Sequence, residues 1–178
     1  DADRMILIRE LTEEEEKQGF DGAVEGDRSL AIRAKGIIEE YKQSAKLDNG
    51  IKPRFVIEVA FSYAVEEFLR NQGAQVIKVP RGFAFIKDAI KTIYRAIRDG
   101  KNEAVLYEGE TYKIRIDLRR NKEQVMIGGE LSGHQMAGHD ENFIFDDSAL
   151  AACRVLSVVA LAEKEGKSFI DLDNAIPK

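Results

Sequence analysis

Residues 54–100 constrain the fold most strongly, because they read as strand, helix, strand, helix with a turn signal at each joint. Residues 55–61 form an apolar run interrupted only by Glu58, which is the composition of a strand buried on both faces. Ser62 can cap a following helix whose Val65, Phe68 and Leu69 share one face, and Gly73 supplies its stop. Residues 76–79 read as the next strand, closed by Pro80-Arg81-Gly82. A helix over residues 84–99 then gathers Ile86, Ala89, Ile90, Ile93 and Ile97 on one side and ends at Gly100. Strands alternating with one-sided helices build a sheet covered by helices.

The flanks extend this pattern. Residues 5–8 are a short β-suited run, and Glu13–Glu16 read as a solvated connection. Asp27 can cap a helix over residues 29–45, in which Ala31, Ala34, Ile38, Tyr41 and Ala45 recur at helical spacing before the turn signal Asp48-Asn49-Gly50. Between 104 and 118 the period changes to two. Tyr112, Ile114, Ile116 and Leu118 alternate with Lys113, Arg115, Asp117 and Arg119, which predicts a half-buried antiparallel strand paired with residues 104–107 across Gly109. Residues 125–127 are a short strand entering Gly128-Gly129. A last helix, starting at Asp146 or Asp147 and running to Gly166, is apolar on nearly every side. It is expected to be buried between layers, with Cys153 as core packing. The expected class is α/β: a three-layer α/β/α domain with a mixed sheet between helices.

Composition narrows the function classes. Hydrophobic residues at 44% and charged residues at 33% are those of a soluble globular protein. A net charge of −5 argues against nucleic acid or an anionic membrane as the main partner, but leaves room for a small anionic substrate. The longest apolar stretch, 156–162, is too short to span a bilayer, and no secretory signal is evident. A single cysteine, Cys153, permits no intrachain disulfide and fits a reducing cytoplasm. The first residue is Asp1 rather than Met, and the chain reads as a fragment.

The chemistry concentrates in Gly128-Gly129-Glu130-Leu131-Ser132-Gly133-His134, directly after a strand. Three glycines permit a tight loop and close approach of a ligand to the main chain. Glu130 accepts hydrogen bonds, while Ser132 and His134 both accept and donate, a set that suits a row of sugar hydroxyls. An ordinary polar surface turn would have the same composition. No Lys-Ser/Thr pair closes the loop as in a Walker motif, and the dinucleotide fingerprint does not fit. His134 and His139, with Asp140 adjacent, are a weak zinc pattern, lacking cysteines and a clear third ligand. Lys87, Lys91, Arg95 and Arg98 form a basic stripe that reads as a solvated helix face.

Residues 128–134 resemble the GGExSGH loop with which the α-D-phosphohexomutases grip sugar hydroxyls. Phe145-Asp146-Asp147, followed by Ala151-Ala152 and Arg154-Val155-Leu156, is similar to the FDDG…A…RLL segment that opens the family's next helix. Residues 55–62 with Gly73 and Val79 resemble the start of the family's third domain, and Gly82 with Ile86-Lys87 its G-H-x-x-I-K stretch. Asp1-Ala2-Asp3-Arg4, followed by residues 5–8, resembles the second half of the magnesium loop D-G-D-x-D-R and the strand after it. The segments follow the family's order over essentially the whole chain. Three departures stand out: Phe83 occupies the place of the common histidine, Ser148 replaces a glycine, and the hairpin at 104–120 looks like an insertion.

The resemblance implies two parts: residues 1–25 as the end of the second mutase domain with part of the metal loop, and residues 26–178 as the third, sugar-recognising domain. Residues 169–177 would be the linker into an absent fourth domain. The whole protein is then expected to move phosphate reversibly between hexose 1-phosphate and hexose 6-phosphate, through a phosphoserine enzyme and a bisphosphorylated sugar. Mg²⁺ is the implied cofactor, with Asp1 and Asp3 among its ligands; hard oxygens at alternate positions suit it. Glu130, Ser132 and His134 would bind the substrate. The nucleophile and the phosphate clamp would lie outside this chain, so the fragment alone is expected to be inactive. The expected partners are a hexose phosphate and the other domains of the same mutase. A non-catalytic sugar-phosphate-binding homologue and a structural or interaction α/β module remain the alternatives.

Overall fold

The computed structural model describes residues 6–8, 10–19, 22–107, 113–121, 125–138, 144–146 and 148–177. In chain order they form β1 (Leu7–Ile8), α1 (Glu13–Lys17), β2 (Ala23–Val24), α2 (Gly26–Gln43), β3 (Arg54–Glu58), α3 (Tyr63–Asn71), β4 (Gln75–Val79), α4 (Phe83–Arg98), β5 (Glu103–Leu106), β6 (Ile114–Asp117), β7 (Val125–Gly129), β8 (Gln135–Gly138), β9 (Ile144–Asp146), α5 (Ser148–Lys164) and α6 (Phe169–Asn174). The central sheet has the order β4-β3-β7-β8-β9. β3 runs parallel to β4 and β7, whereas β8 and β9 join as antiparallel neighbours, so the sheet is mixed.

Every residue of β3 is buried, and alternate side chains serve opposite cores. Phe55 and Ile57 pack with Leu30, Ile38, Val65, Leu69 and Val155, beneath α2, α3 and α5. Val56 packs with Ile77, Val79, Ile86, Ile90 and Ile93, beneath α4. The three-layer α/β/α arrangement expected from the sequence is therefore present. The β5–β6 hairpin is a separate two-stranded sheet whose Ala104, Leu106, Ile116 and Leu118 extend the second core. Ser62 caps α3 by accepting a hydrogen bond from the Val65 amide. Glu66 on α3 then reaches Lys78 on β4 at 2.9 Å. Burial raises the pKa of Glu66, but hydrogen bonds from Lys78 and Arg70 outweigh it and hold the carboxyl below its usual range.

Several sequence expectations change. Glu13–Glu16 belong to a short helix, because Thr12 and Glu15 close a capping box around its first turn and acidic side chains favour a helix N-terminus. α2 begins at Gly26 after Glu25, without a side-chain cap. Asp27 lies inside the first turn, where its carboxylate accepts from the amides of Arg28 at 2.7 Å and Ser62 at 3.3 Å. Asp146 belongs to strand β9, and Asp147, the other expected cap of α5, is outside the described residues, as are Met5, Gly109 and Tyr112.

The largest correction concerns α5. Only Ser148, Ala151, Val155 and Ala162 of this helix are buried, while Leu156 and Leu161 are 62% and 61% exposed and Cys153 is exposed as well. α5 packs on α2, α6 and β8 along one side, and no further layer covers the other among the described residues. No described helix is long and apolar enough to cross a membrane.

The tail is folded onto the domain. Ser168 and Asp171 make a capping box for α6, and Leu172 and Ile176 are buried. Arg28 holds this tail to α2: its guanidinium donates to Asp173 Oδ1 at 2.8 Å and to the carbonyls of Asp173, Ile176 and Pro177 at 2.6, 3.3 and 3.1 Å. Asp173 is 6% exposed, so removing the guanidinium takes a charge-assisted hydrogen bond from a buried carboxylate. Arg28→Ala should lower unfolding free energy by about 2–3 kcal/mol, and Arg28→Lys should recover less than half, since one ammonium cannot reproduce the fork. Urea denaturation followed by circular dichroism measures both. A loss below about 0.5 kcal/mol would show that the tail is held by its apolar contacts alone.

Candidate functional site

The three parallel strands present their carboxyl ends at one edge of the sheet. From β3 the chain passes through α3, on the first core, to β4. From β4 it returns through α4, on the opposite core, to β7 on the other side of β3. The winding thus reverses beside β3, and the crevice between the carboxyl ends of β3 and β7 is where such sheets accept ligands. The loop after Gly129 sits there.

Two hydrogen bonds make that loop a tight turn: Glu130 N–H donates to His134 O at 3.0 Å, and Gly133 N–H to Glu130 O at 3.1 Å. Gly133 sits at φ 94°, a conformation other residues rarely adopt. The pair Gly128-Gly129 serves packing instead. A Cβ at Gly128 would strike Ile86 and Ile90 of α4, and one at Gly129 would strike Leu30 of α2, so the pair lets helices close on both faces of β7. Sequence reasoning assigned these glycines to loop flexibility and missed their role as contact points.

Glu130, Ser132 and His134 come together as expected. Glu130 is 8% exposed, and its Oε2 accepts from Ser132 Oγ at 3.1 Å and lies 2.8 Å from His134 Nδ1. Its other oxygen, Oε1, makes no hydrogen bond among the described residues. One carboxylate oxygen is thus spent on holding the cluster, and one remains to accept from a ligand. Phe83, the first residue of α4, stands nearly at right angles to the His134 ring, at 81° and 6.0 Å between centroids.

Sequence reasoning missed the residues that hold the loop. Glu58, at the end of β3, is 2% exposed and accepts from the Leu131 amide at 2.8 Å. The signal was available: a lone carboxylate in a doubly buried strand requires a partner. The start of α2 presses on the loop, since a Cβ on Gly26 would collide with Leu131 O and Gly133 N. Ser29 Oγ accepts from Gln135 Nε2 at 2.9 Å, and Gln135 Oε1 accepts from Arg33 Nη1 at 3.2 Å, which fastens β8 to α2 through side chains that are all nearly inaccessible. These contacts join positions about a hundred residues apart, where no local pattern reveals them.

The proposed metal ligands Asp1 and Asp3 lie outside the described residues, as do His139 and Asp140. Among the described residues, no three His, Cys, Asp or Glu side chains gather as a metal site would require.

No family model matches the chain. Phosphoglucosamine mutases of two Bradyrhizobium strains are each 26% identical to it over 159 residues, which is 89% of this chain and 25% of theirs. A putative phosphomannomutase from Thermus thermophilus shares its fold at a TM-score of 0.51 and 17% identity, covering 98% of this chain and 28% of that one. A phosphoglucomutase/phosphomannomutase family protein from Burkholderia thailandensis does so at a TM-score of 0.56 and 17% identity, covering 99% and 27%. At that identity the structural likeness shows the fold. The chain spans about a quarter of the length of these relatives, and its resemblance to the phosphohexomutases extends over nearly all of its own.

Gly26→Ala tests how closely α2 and the loop are coupled. Alanine favours a helix over glycine by roughly 1 kcal/mol, but its Cβ has to displace loop backbone, as overpacking at about 1–3 kcal/mol does. The variant should be less stable and should shift the amide resonances of residues 130–134. An undisturbed loop together with raised stability would mean that the contact yields freely.

Proposed function

We propose that residues 128–134 are the sugar-hydroxyl site of a phosphohexomutase, and that the protein to which this chain corresponds interconverts hexose 1-phosphate and hexose 6-phosphate. The observation that carries this reading is the single carboxylate of Glu130. Its Oε2 collects Ser132 and His134, while its Oε1 stays available at the carboxyl edge of the parallel strands. A sugar hydroxyl donates to Oε1, and Ser132 Oγ, whose proton is directed at Glu130, accepts from a neighbouring hydroxyl. His134 keeps the carboxylate from rotating away. Fixed acceptors of this kind orient the hexose so that either end can meet the reacting phosphoryl group.

Under the same reading residues 1–25 close a preceding domain and residues 26–178 form the recognition domain, working with further domains in the cytoplasm. Asp1 and Asp3 belong to a Mg²⁺ loop, and the ion supplies neutralisation of phosphoryl charge when bound. Phosphoserine chemistry and the phosphate clamp reside in those further domains, so this chain alone binds without turnover. A non-catalytic sugar-phosphate binder would use the same loop, and Phe83 in place of a histidine favours it as the second reading.

Glu130→Gln and Ser132→Ala should each weaken hexose-phosphate binding while the chain stays folded. A hydrogen bond to a charged group is worth about 1.5–3 kcal/mol, or roughly a ten- to hundredfold loss of affinity. NMR titration of the chain with glucose 1-phosphate, and turnover of the longer protein, read this out. If both variants bind every hexose phosphate as the unaltered chain does, the loop is not the sugar site. Lost binding by the variants with no turnover by the longer protein would select the non-catalytic reading.

A further inference from the structure

Two described contacts orient the imidazole of His134. Its Nδ1 faces Glu130 Oε2 at 2.8 Å, and its ring meets Phe83 at 6.0 Å and 81°, a favourable edge-to-face geometry. A polar partner at one nitrogen and an aromatic neighbour against the ring both favour the observed rotamer. Since Ser132 and His134 share the same oxygen of Glu130, the direction of Oε1 depends on that rotamer. Phe83 thereby acts on the carboxylate through His134.

Phe83 also shapes the wall. It is half-buried at the first position of α4 and offers no hydrogen bond. Two residues on, Phe85 is 40% exposed, lies over Gly82 and meets Tyr107 at 6.0 Å and 66°. The start of α4 is therefore an aromatic ridge beside a hydroxyl-reading loop. A hydroxyl directed at such a ridge loses its hydrogen bonds to water without replacement, whereas a ring C–H loses nothing.

We propose that Phe83 is a positioning and specificity-determining residue of the sugar site: it locks His134 against Glu130 and selects hexose phosphates whose ring turns C–H groups, rather than a hydroxyl, toward α4. This rests on the sugar-site reading above, and it adds a residue outside the glycine loop.

The test is NMR titration of the full chain, unaltered and as Phe83→Ala, Phe83→Leu and Phe83→Tyr, with glucose 1-phosphate, mannose 1-phosphate and glucosamine 1-phosphate. Thermal unfolding of each variant checks that it folds. Without ligand, Phe83→Ala and Phe83→Leu should move the Glu130 carboxyl carbon resonance and broaden the His134 Nδ1 signal, and Phe83→Tyr should preserve both. With ligand, affinity for the preferred sugar should fall about three- to tenfold in the alanine and leucine variants and the ratio among the three sugars should flatten, whereas tyrosine should keep the ring contact with His134 but, by adding a hydroxyl to the wall, flatten the ratio as well. Unchanged Glu130 and His134 signals in folded Phe83→Ala overturn the positioning role. Unchanged sugar ratios overturn the selection. Failure of the unaltered chain to bind any of the three sinks the sugar site itself, and with it the selective role of Phe83.

Discussion

The structure depends on one strand that has no solvent face. β3 lies between two cores, and its alternate residues commit helices to both sides of the sheet: α2, α3 and α5 above Phe55 and Ile57, and α4 above Val56. Once helices must occupy both faces, the chain has to cross β3 to find its next parallel neighbour, and the crossing opens a crevice at the carboxyl ends. The same strand ends in Glu58, which is too buried to be left without a partner. Its carboxylate finds the Leu131 amide and so fixes the candidate site to the most deeply buried element of the fold. Core and site are one construction here.

Much of this was legible in the residues. The Ser62 cap and the stripe from Ile86 to Ile97 are local signals that became the expected elements, whereas the apolar run at 55–61 is strand only as far as Glu58, and Val59 is exposed in the turn that follows. The loop at 128–134 was legible as a cluster because its three polar side chains lie within five positions of one another. What holds that loop was not. Gly26, Ser29, Arg33 and Glu58 come from distant parts of the chain, and their contacts exist only after the sheet has closed.

α5 was misread for a different reason. Hydropathy reports what a side chain prefers, not whether anything arrives to cover it. Ala151 and Val155 face α2, where Gly36 lets Val158 approach closely, but Leu156 and Leu161 of the same helix have no covering layer among the described residues. An all-round apolar helix therefore does not distinguish a buried position from one whose second contact belongs to another part of the assembly.

The charges at the carboxyl edge complete the chemical argument. Asp27, Glu58 and Glu130 are all buried, and none of them is paired with a Lys or Arg side chain in a described contact: Asp27 accepts from the amides of Arg28 and Ser62, Glu58 from the amide of Leu131, and Glu130 Oε2 from the hydroxyl of Ser132 with the ring of His134 beside it. Arg28, next in sequence to Asp27, spends its guanidinium on Asp173 and the carbonyls of the tail. The edge consequently keeps its acceptor character. Hydroxyl groups, which donate, are welcome there, while a phosphate brought against the same carboxylates would meet like charge in a poorly screened setting. A sugar phosphate seated on this loop must therefore present its hydroxyls to Glu130 and direct its phosphate away from it, toward cations that Asp27, Glu58 and Glu130 do not engage. Under the sugar-site reading proposed above, recognition of the ring and recognition of the phosphate are therefore separate tasks, and the loop at 128–134 serves only the first.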